Sequence, residues 1–394
     1  MDKSIYYVNE RIFMLDCGRK YYTPKWIKKL CDEIYAVGYT TLSIHFAEEM
    51  GLRLESKQYP FLAGGDHSLC IWGKANGEPE NDDKYITQEE MADIVKYAQS
   101  IGLKVMPSFD SPGHMNYAVK KYNQYFNKDI SNYFHKNGKV AIVQGSSVNH
   151  EIEQLSYSRG IDIANPDAVE FAQNLYREYG EFFYNLGCDA FDIGGDELLG
   201  WGESIDDTLS KWNNLDHWQE LAIKRTGNKN AVAHDAFILY INDICKILRS
   251  IGYKNLHMWN DDVYRSYDTG WTGITELDKD LIIQYWAPFA NNGQNTALYY
   301  LEKGHKLYNF TNKYTYYVLG KGFNSGYTVE QIDKEWNAYV FDGNEPKNNP
   351  VAPDNRVLGG GFCLWSDTPN AETEDELLEN MRPYFTVCAK KLST

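Results

Sequence analysis

Short apolar, β-prone runs alternate with helical patterns from one end of this chain to the other. The runs are Ile12–Leu15, Thr41–Phe46, Leu103–Phe109, Asp189–Ile193, Leu256–Trp259, Leu281–Trp286, Lys306–Phe310 and Val357–Trp365, eight in all. They carry little polar alternation, which is the pattern of parallel strands buried on both faces. The helices between them announce their starts. Thr23-Pro24 offers an N-cap followed by proline at the first helical position, and Asn165-Pro166 opens a long helical stretch to about Gly187. Thr87-x-x-Glu90, Thr328-x-x-Gln331 and Thr373-x-x-Glu376 have the spacing of capping boxes. Eight β/α alternations without a break predict an α/β fold, a closed (β/α)8 TIM barrel, with an open doubly wound sheet as the alternative.

A barrel absorbs the whole length of 394 residues as one domain, residues 1–394. Two connections, Ala47 to Ile86 and Met115 to Asn165, are too long for bare turns. Both follow a strand, so both are expected at the C-terminal face of the barrel, where long loops wall active sites. Gly64-Gly65 and the stretch from Asn344 to Asp354 read as surface loops.

Charge narrows the partners. Asp and Glu outnumber Lys and Arg 55 to 39, a net charge of −16 with no basic run, which argues against nucleic acid or an anionic membrane surface. No stretch of about 18 apolar residues predicts a membrane span, and Met1 to Ile5 lacks the apolar segment of a secretory leader. The seven cysteines are scattered without a C-x-x-C pair, so neither a disulfide scaffold nor a zinc-finger array is expected. Aromatics reach 15% of the chain, a direction toward sugar-ring contacts that ordinary core packing also explains.

In a barrel the chemistry sits at the strand ends. Collected in order, these carry Asp16 and Arg19, His45 and Glu48, Asp110 and His114, Asp196 and Glu197, Trp259 and Asp261, Trp286, Tyr314, and Trp365 with Asp367. The sharpest segment is Phe191-Asp192-Ile193-Gly194-Gly195-Asp196-Glu197, an apolar strand running into two glycines and two adjacent carboxylates. Neighbouring side chains of a regular strand point to opposite faces, so an irregular strand end is needed to aim both acids at one pocket. Two close carboxylates divide into an acid and an anion, the division general acid–base work requires. A solvated surface loop is the bland alternative. Trp259, Trp286 and Trp365 at three strand ends suggest an aromatic box, with core packing as the other reading. His45, Asp110, His114 and Asp196 allow a metal site, but no H-x-H or H-E-x-x-H spacing supports one. No metal or cofactor is therefore expected, and serine hydrolase, kinase and dehydrogenase fingerprints are absent.

These segments resemble glycoside hydrolase family 20, the β-N-acetylhexosaminidases and lacto-N-biosidases. The resemblance runs from Leu15-Asp16-Cys17-Gly18-Arg19 to Leu364-Trp365-Ser366-Asp367. Its most specific pieces are Gly194-Gly195-Asp196-Glu197, Asp110-x-Pro112-Gly113-His114 and Met258-Trp259-Asn260-Asp261. It implies a (β/α)8 barrel and a retaining, substrate-assisted hydrolysis in which the 2-acetamido oxygen of the substrate attacks the anomeric carbon and forms an oxazolinium ion. It implies that Glu197 is the general acid and later base, and that Asp196 orients the acetamido group. By the same resemblance Tyr314 bonds the acetamido oxygen and His114 links the acid to a second carboxylate. Arg19 would grip sugar hydroxyls, and Trp259, Trp286 and Trp365 would enclose the acetamido methyl. His45, Glu48, Asp110, Asp261 and Asp367 complete the implied substrate pocket. The implied partner is an oligosaccharide or glycan carrying N-acetylhexosamine, met by the same resemblance outside the cell or at its surface, with a cytosolic location as the alternative.

Three departures stand out. Glu48 replaces the usual aspartate after the second strand, Ser108-Phe109 precedes Asp110 where many members carry Glu and an aliphatic residue, and Trp365-Ser366-Asp367 ends in Asp where exo-hexosaminidases carry Glu. A shorter acid leaves room beyond the N-acetyl sugar. Lacto-N-biosidases, which release Gal-β1,3-GlcNAc, need that room and resemble this chain there and around Gly51 to Ser56. The sequence thus predicts release of lacto-N-biose. The alternatives are release of a single N-acetylhexosamine, a non-catalytic glycan-binding barrel and a metal-dependent amidohydrolase.

Overall fold

The computed structural model describes residues 8–69, 81–132, 160–198, 215–260, 263–264, 273–286, 296–320, 322–323, 326–341 and 352–393, and the backbone of 134–136 and 139–141. Eight parallel strands close on themselves: β1 (Glu10–Asp16), β2 (Thr41–His45), β3 (Lys104–Ser108), β4 (Ala190–Asp192), β5 (Asn255–Trp259), β6 (Ile282–Tyr285), β7 (Leu307–Asn309) and β8 (Val357–Trp365). Pairing of β1 with β8 from Glu10↔Gly359 to Leu15↔Leu364 closes the ring and excludes the open sheet. Each strand overlaps the run expected for it.

Alternate residues of β1 show why the strands read as continuously apolar. Phe13 and Leu15 join the outer core under the helices, while Ile12 and Met14 join the inner cluster that fills the barrel. Both faces are buried, as in barrels of this class. The outer layer includes α1 (Pro24–Ala36), α2 (Gln88–Ser100), α3 (Pro166–Asn185), α4 (Ala233–Ile251), α5 (Ala297–Glu302), α6 (Val329–Glu335) and α7 (Glu374–Leu392). Thr23 and Asn165 cap α1 and α3 ahead of their prolines, and Thr87, Thr328 and Thr373 form complete capping boxes. Such caps each contribute about 1 kcal/mol and fix where the helices begin.

Between β5 and β6 the described residues, 260, 263–264 and 273–281, contain no helix. The two long connections hold structure of their own. The first forms a three-stranded sheet of Ala47–Glu48, Gly51–Leu52 and Gly64–Gly65; the second holds a helix, Asn116–Phe126, and a hairpin of Phe134–Lys136 with Lys139–Ala141. A further short strand, Tyr316–Val318, pairs with the upper half of β8. Six cysteines in the described residues are buried and free, and no described helix is long and apolar enough to cross a membrane.

Candidate active site

The register lays four polar strand-end residues side by side: Asp16 pairs with His45, His45 with Ser108, and Ser108 with Asp192. All four are buried. Just beyond this layer the chain after β4 leaves strand geometry. Gly194, Gly195 and Glu197 take positive φ values of 67°, 86° and 46°. A Cβ on Gly194 would lie 2.1 Å from Asp110 Oδ1, and one on Gly195 2.6 Å from Met258 Cε, so the turn needs glycine for space as well as for conformation. The Gly195 N–H donates to Asp110 Oδ1 at 2.7 Å. For Glu197, which has a Cβ, the left-handed conformation costs energy that the surrounding structure must offset.

The irregular turn brings the adjacent acids together. His114 Nε2 lies 3.5 Å from Glu197 Oε2 and 3.7 Å from Asp196 Oδ2. The other ring nitrogen, Nδ1, lies 2.8 Å from Glu48 Oε2 and 3.1 Å from Glu49 Oε2. Burial alone would drive the imidazole toward its neutral form, but Glu48, Asp196 and Glu197 hold the His114 pKa well above the usual histidine range. His114 is therefore a cation inserted between two pairs of carboxylates.

Arg19 supplies the second buried cation. It donates from Nη1 to Asp16 at 2.9 Å, pairs through the same nitrogen with Glu48 Oε1 at 3.0 Å, and grips Glu49 with Nε at 2.9 Å and Nη2 at 3.1 Å. Its guanidinium carbon sits 5.4 Å from the centre of the Trp365 ring, within cation–π range. Burial disfavours its charge, but Glu48, Glu49 and Asp16 override that and raise its pKa. Burial pushes Glu48 up against the pull of Arg19, while Arg19, Glu48 and His114 overcome burial and hold Glu49 well below the carboxylate range. Glu49 was not singled out in the sequence, although it shares both Arg19 and His114 with Glu48. Two groupings in this region, Glu48–Glu49–His114 and Asp110–His114–Asp196, place possible ligand atoms within 4.8 Å. The same carboxylates pair with Arg19 and His114, so these groups also form an ion-pair network.

The tryptophans form the apolar wall. Trp259 and Trp365 have ring centres 6.0 Å apart, and Trp259, Trp286 and Trp365 all belong to the inner cluster. The backbone N–H of Trp259 donates to the Gly194 carbonyl at 3.0 Å, which fastens the aromatic wall to the glycine turn. The buried indole nitrogens of Trp259 and Trp365 have no hydrogen-bond partner among the described residues, leaving two donors for a polar ligand. Asp367 is half-buried just beyond Trp365, and its charge reaches Arg19.

Tyr314 and Tyr316 occupy different layers of the fold. Tyr314 lies in a helical turn, Asn312–Thr315, and packs in the outer core against Tyr327 and Trp336, with ring centres 5.3 and 6.3 Å away. Tyr316 stands with the tryptophans instead. It stacks on Trp286 at 6.0 Å with an interplanar angle of 5°, and lies 5.6 Å from Trp365. The two-residue difference arises because the helical turn delays the start of the short strand, which sets the inward phase at Tyr316 and Val318. Asp261 lies outside the described residues. A separate cavity of about 560 Å³ opens at the other end of the barrel, lined by Glu10, Thr41, Lys104, His257 and Tyr308 among others; no residue of the network borders it.

Comparison with known proteins agrees with this geometry. Residues 9–381 match the model of glycosyl hydrolase family 20, catalytic domain. A lacto-N-biosidase of Bifidobacterium bifidum is 26% identical over 297 residues, 74% of this chain and 22% of that protein. β-Hexosaminidase subunit A1 of Dictyostelium discoideum is 22% identical over 91% of this chain and 55% of its own length. The chain thus spans between about a fifth and just over half of these curated relatives. Dispersin B superimposes with a TM-score of 0.68 at 20% identity, covering 98% of this chain and 99% of that one. An exo-β-N-acetylglucosaminidase of Vibrio harveyi, in complex with N-acetylglucosamine, gives 0.70 at 18% identity over 98% of this chain and 54% of its own. The barrel and the family model together establish that this chain belongs to glycosyl hydrolase family 20.

Proposed function

We propose that the chain hydrolyses β-linked N-acetylhexosaminides with retention of configuration, by substrate-assisted catalysis. The observation that carries this reading is the pair Asp196 and Glu197 at the end of the glycine turn that the Trp259 backbone fastens, both within 4 Å of one imidazolium. Glu197 donates a proton to the departing glycosidic oxygen as the acetamido oxygen attacks C1, and afterwards takes a proton from the water that opens the oxazolinium ring. Asp196 accepts the acetamido N–H and stabilises the positive charge that grows on it. Tyr316 donates its hydroxyl to the acetamido oxygen, taking the role the sequence assigned to Tyr314. Neither acid attacks the sugar, so the two can be neighbours in sequence and need not flank the bond.

The product we infer is lacto-N-biose. Asp367, one methylene shorter than the glutamate of exo-hexosaminidases, leaves room for a galactose on O3. The Bifidobacterium bifidum lacto-N-biosidase among the relatives supports the same choice. Product analysis on lacto-N-tetraose, with parallel rates on the p-nitrophenyl glycosides of lacto-N-biose and N-acetylglucosamine, tests it. Release of the disaccharide and faster cleavage of its glycoside are expected; faster cleavage of the monosaccharide glycoside would establish the hexosaminidase alternative, as the Dictyostelium relative suggests.

A further inference from the structure

The His114 imidazolium does not stand alone. A continuous chain of hydrogen bonds, buried beyond its first link, runs from it around the barrel: His114 Nδ1 to Glu48 Oε2 at 2.8 Å, Glu48 Oε1 to His45 Nε2 at 3.1 Å, His45 Nδ1 to Ser108 Oγ at 2.8 Å, and Ser108 Oγ to Asp192 Oδ2 at 2.7 Å. Asp192 closes the circuit, because its Oδ1 accepts the Gly194 N–H at 3.1 Å in the turn that carries Asp196 and Glu197. His45, Ser108 and Asp192 are exposed by no more than 1%. Three successive strands supply them at matched register.

The hydrogen-bond pattern assigns the protons. With Asp192 ionised, the single Ser108 hydroxyl hydrogen goes to it, so Ser108 receives a bond from His45 and Nδ1 carries hydrogen. The contact between His45 Nε2 and Glu48 then needs one more proton, on either partner. Burial raises the Glu48 pKa, but Glu48 also accepts from His114 and the Glu49 N–H and pairs with the Arg19 guanidinium, contacts that favour its charged form and place the proton on His45. The charged groups facing His45 agree. Asp16 stands on β1, Glu48 beyond β2, Asp110 beyond β3 and Asp192 on β4, all acidic, with Arg19 acting through Glu48. The opposite wall is the Trp365 ring, 5.7 Å away. Against the effect of burial, Glu48, Asp16 and Asp110 raise the His45 pKa.

We propose that His45, held between Ser108 and Glu48, is a positioning residue that keeps Glu48 charged and oriented, and thereby holds the His114 imidazolium against Glu197. The departure at Ser108 belongs to this device: a short hydroxyl bridges His45 to Asp192. The proposal rests on Glu197 being the general acid. Losing the His45 charge makes the Glu197 anion less favourable, so Glu197 keeps its proton to higher pH.

The test is the pH dependence of kcat/KM on an oligosaccharide with an unactivated sugar leaving group, for the parent, His45→Gln, Ser108→Ala and the double variant. The expected result is a basic limb moved up by about half a pH unit or more in His45→Gln, with KM within about twofold. Ser108→Ala should move it the same way, and the double variant no further than His45→Gln, since the residues act as a unit. A profile superimposable on the parent in His45→Gln overturns the proposal, even where kcat falls uniformly. Should that variant not fold, an unmoved profile in Ser108→Ala does so. Turnover retained in Glu197→Gln overturns the underlying assignment and this proposal together; turnover lost there beside an unmoved His45→Gln profile overturns this proposal alone.

Discussion

The Nε2 atom of His114 lies 3.5 Å from Glu197 Oε2, closer than hydration would leave two independent side chains and longer than a finished hydrogen bond. The imidazolium is anchored on its far side by Glu48, so its approach to Glu197 is fixed before substrate arrives. In the proposed reaction Glu197 gives up its proton, and the new carboxylate would form beside a charge already in place, a preorganised electrostatic stabilisation. Replacing His114 by Asn removes that charge while keeping a polar side chain. The expected outcome is a kcat lowered roughly tenfold to a hundredfold on unactivated oligosaccharides. A much smaller loss is expected on p-nitrophenyl glycosides, whose leaving group needs little protonation. Equal losses on both substrates would count against it.

Glu197→Gln and Asp196→Asn separate the two acids. Loss of the general acid is expected to lower kcat by about 10²- to 10⁴-fold on an unactivated substrate while leaving binding of product intact. Asp196→Asn is expected to act through the acetamido group. Its penalty should persist on activated glycosides, where the Glu197→Gln penalty shrinks. A 2-hydroxy analogue hydrolysed as fast as the 2-acetamido substrate would refute substrate assistance for the parent enzyme.

Tyr316 and Tyr314 make a sharper comparison because only their place in the fold differs. Tyr316→Phe removes a hydroxyl beside the tryptophan wall and is expected to lower kcat by about 10²-fold, the scale of one lost oxyanion donor. Tyr314→Phe alters the outer core without touching the pocket, and kcat/KM is expected to stay within about twofold of the parent. Steady-state kinetics on the same substrate decide it, and the reverse ranking would restore Tyr314 to the site.

The contrast shows what the sequence makes legible. Local signals carried the architecture: apolar runs of strand length marked all eight barrel strands, and threonine and asparagine caps marked helix starts at Thr23, Thr87, Asn165, Thr328 and Thr373. The pair Gly194-Gly195 before Asp196-Glu197 marked the irregular turn because only glycine fits that backbone among Asp110 and Met258. Less legible was anything set by register. His45 and Ser108 are 63 residues apart, Ser108 and Asp192 another 84, and only strand pairing lays them in one layer. Glu49 was hidden beside Glu48 because strand alternation points neighbours apart, whereas the short Ala47–Glu48 strand ends there and lets both face Arg19. That Tyr316 packs with the tryptophans was hard to read among several tyrosines, because one helical turn shifts the phase of the short strand.

Arg19 tests how far the ion-pair network holds the site together. Its guanidinium is shared by Asp16, Glu48 and Glu49, all buried. Replacing one partner of a buried charge cluster leaves uncompensated charge and typically costs about 3–5 kcal/mol. Arg19→Met should therefore lower the melting temperature at pH 7, and adding Glu49→Gln should recover part of the loss. A double variant no more stable than Arg19→Met would show that Glu49 is not the charge Arg19 compensates.

Asp192 gives the last test, through pH rather than activity. Burial pushes its pKa from 3.8 up to about 6, against the hydrogen bonds from Ser108 and Gly194. A folded-state pKa above the unfolded one means the folded protein binds more protons between those values. Its contribution to stability is therefore full below about pH 4 and is lost as pH rises through about 6. Each pH unit separating the folded and unfolded values is worth about 1.4 kcal/mol, so the loss is on the order of 3 kcal/mol. Asp192→Asn cannot ionise and escapes that loss, so its stability relative to the parent should rise between about pH 4 and 6 and level off above that. Thermal melts of both proteins across that range measure the difference directly. A constant difference would mean that Asp192 ionises in the folded protein as readily as in the unfolded chain.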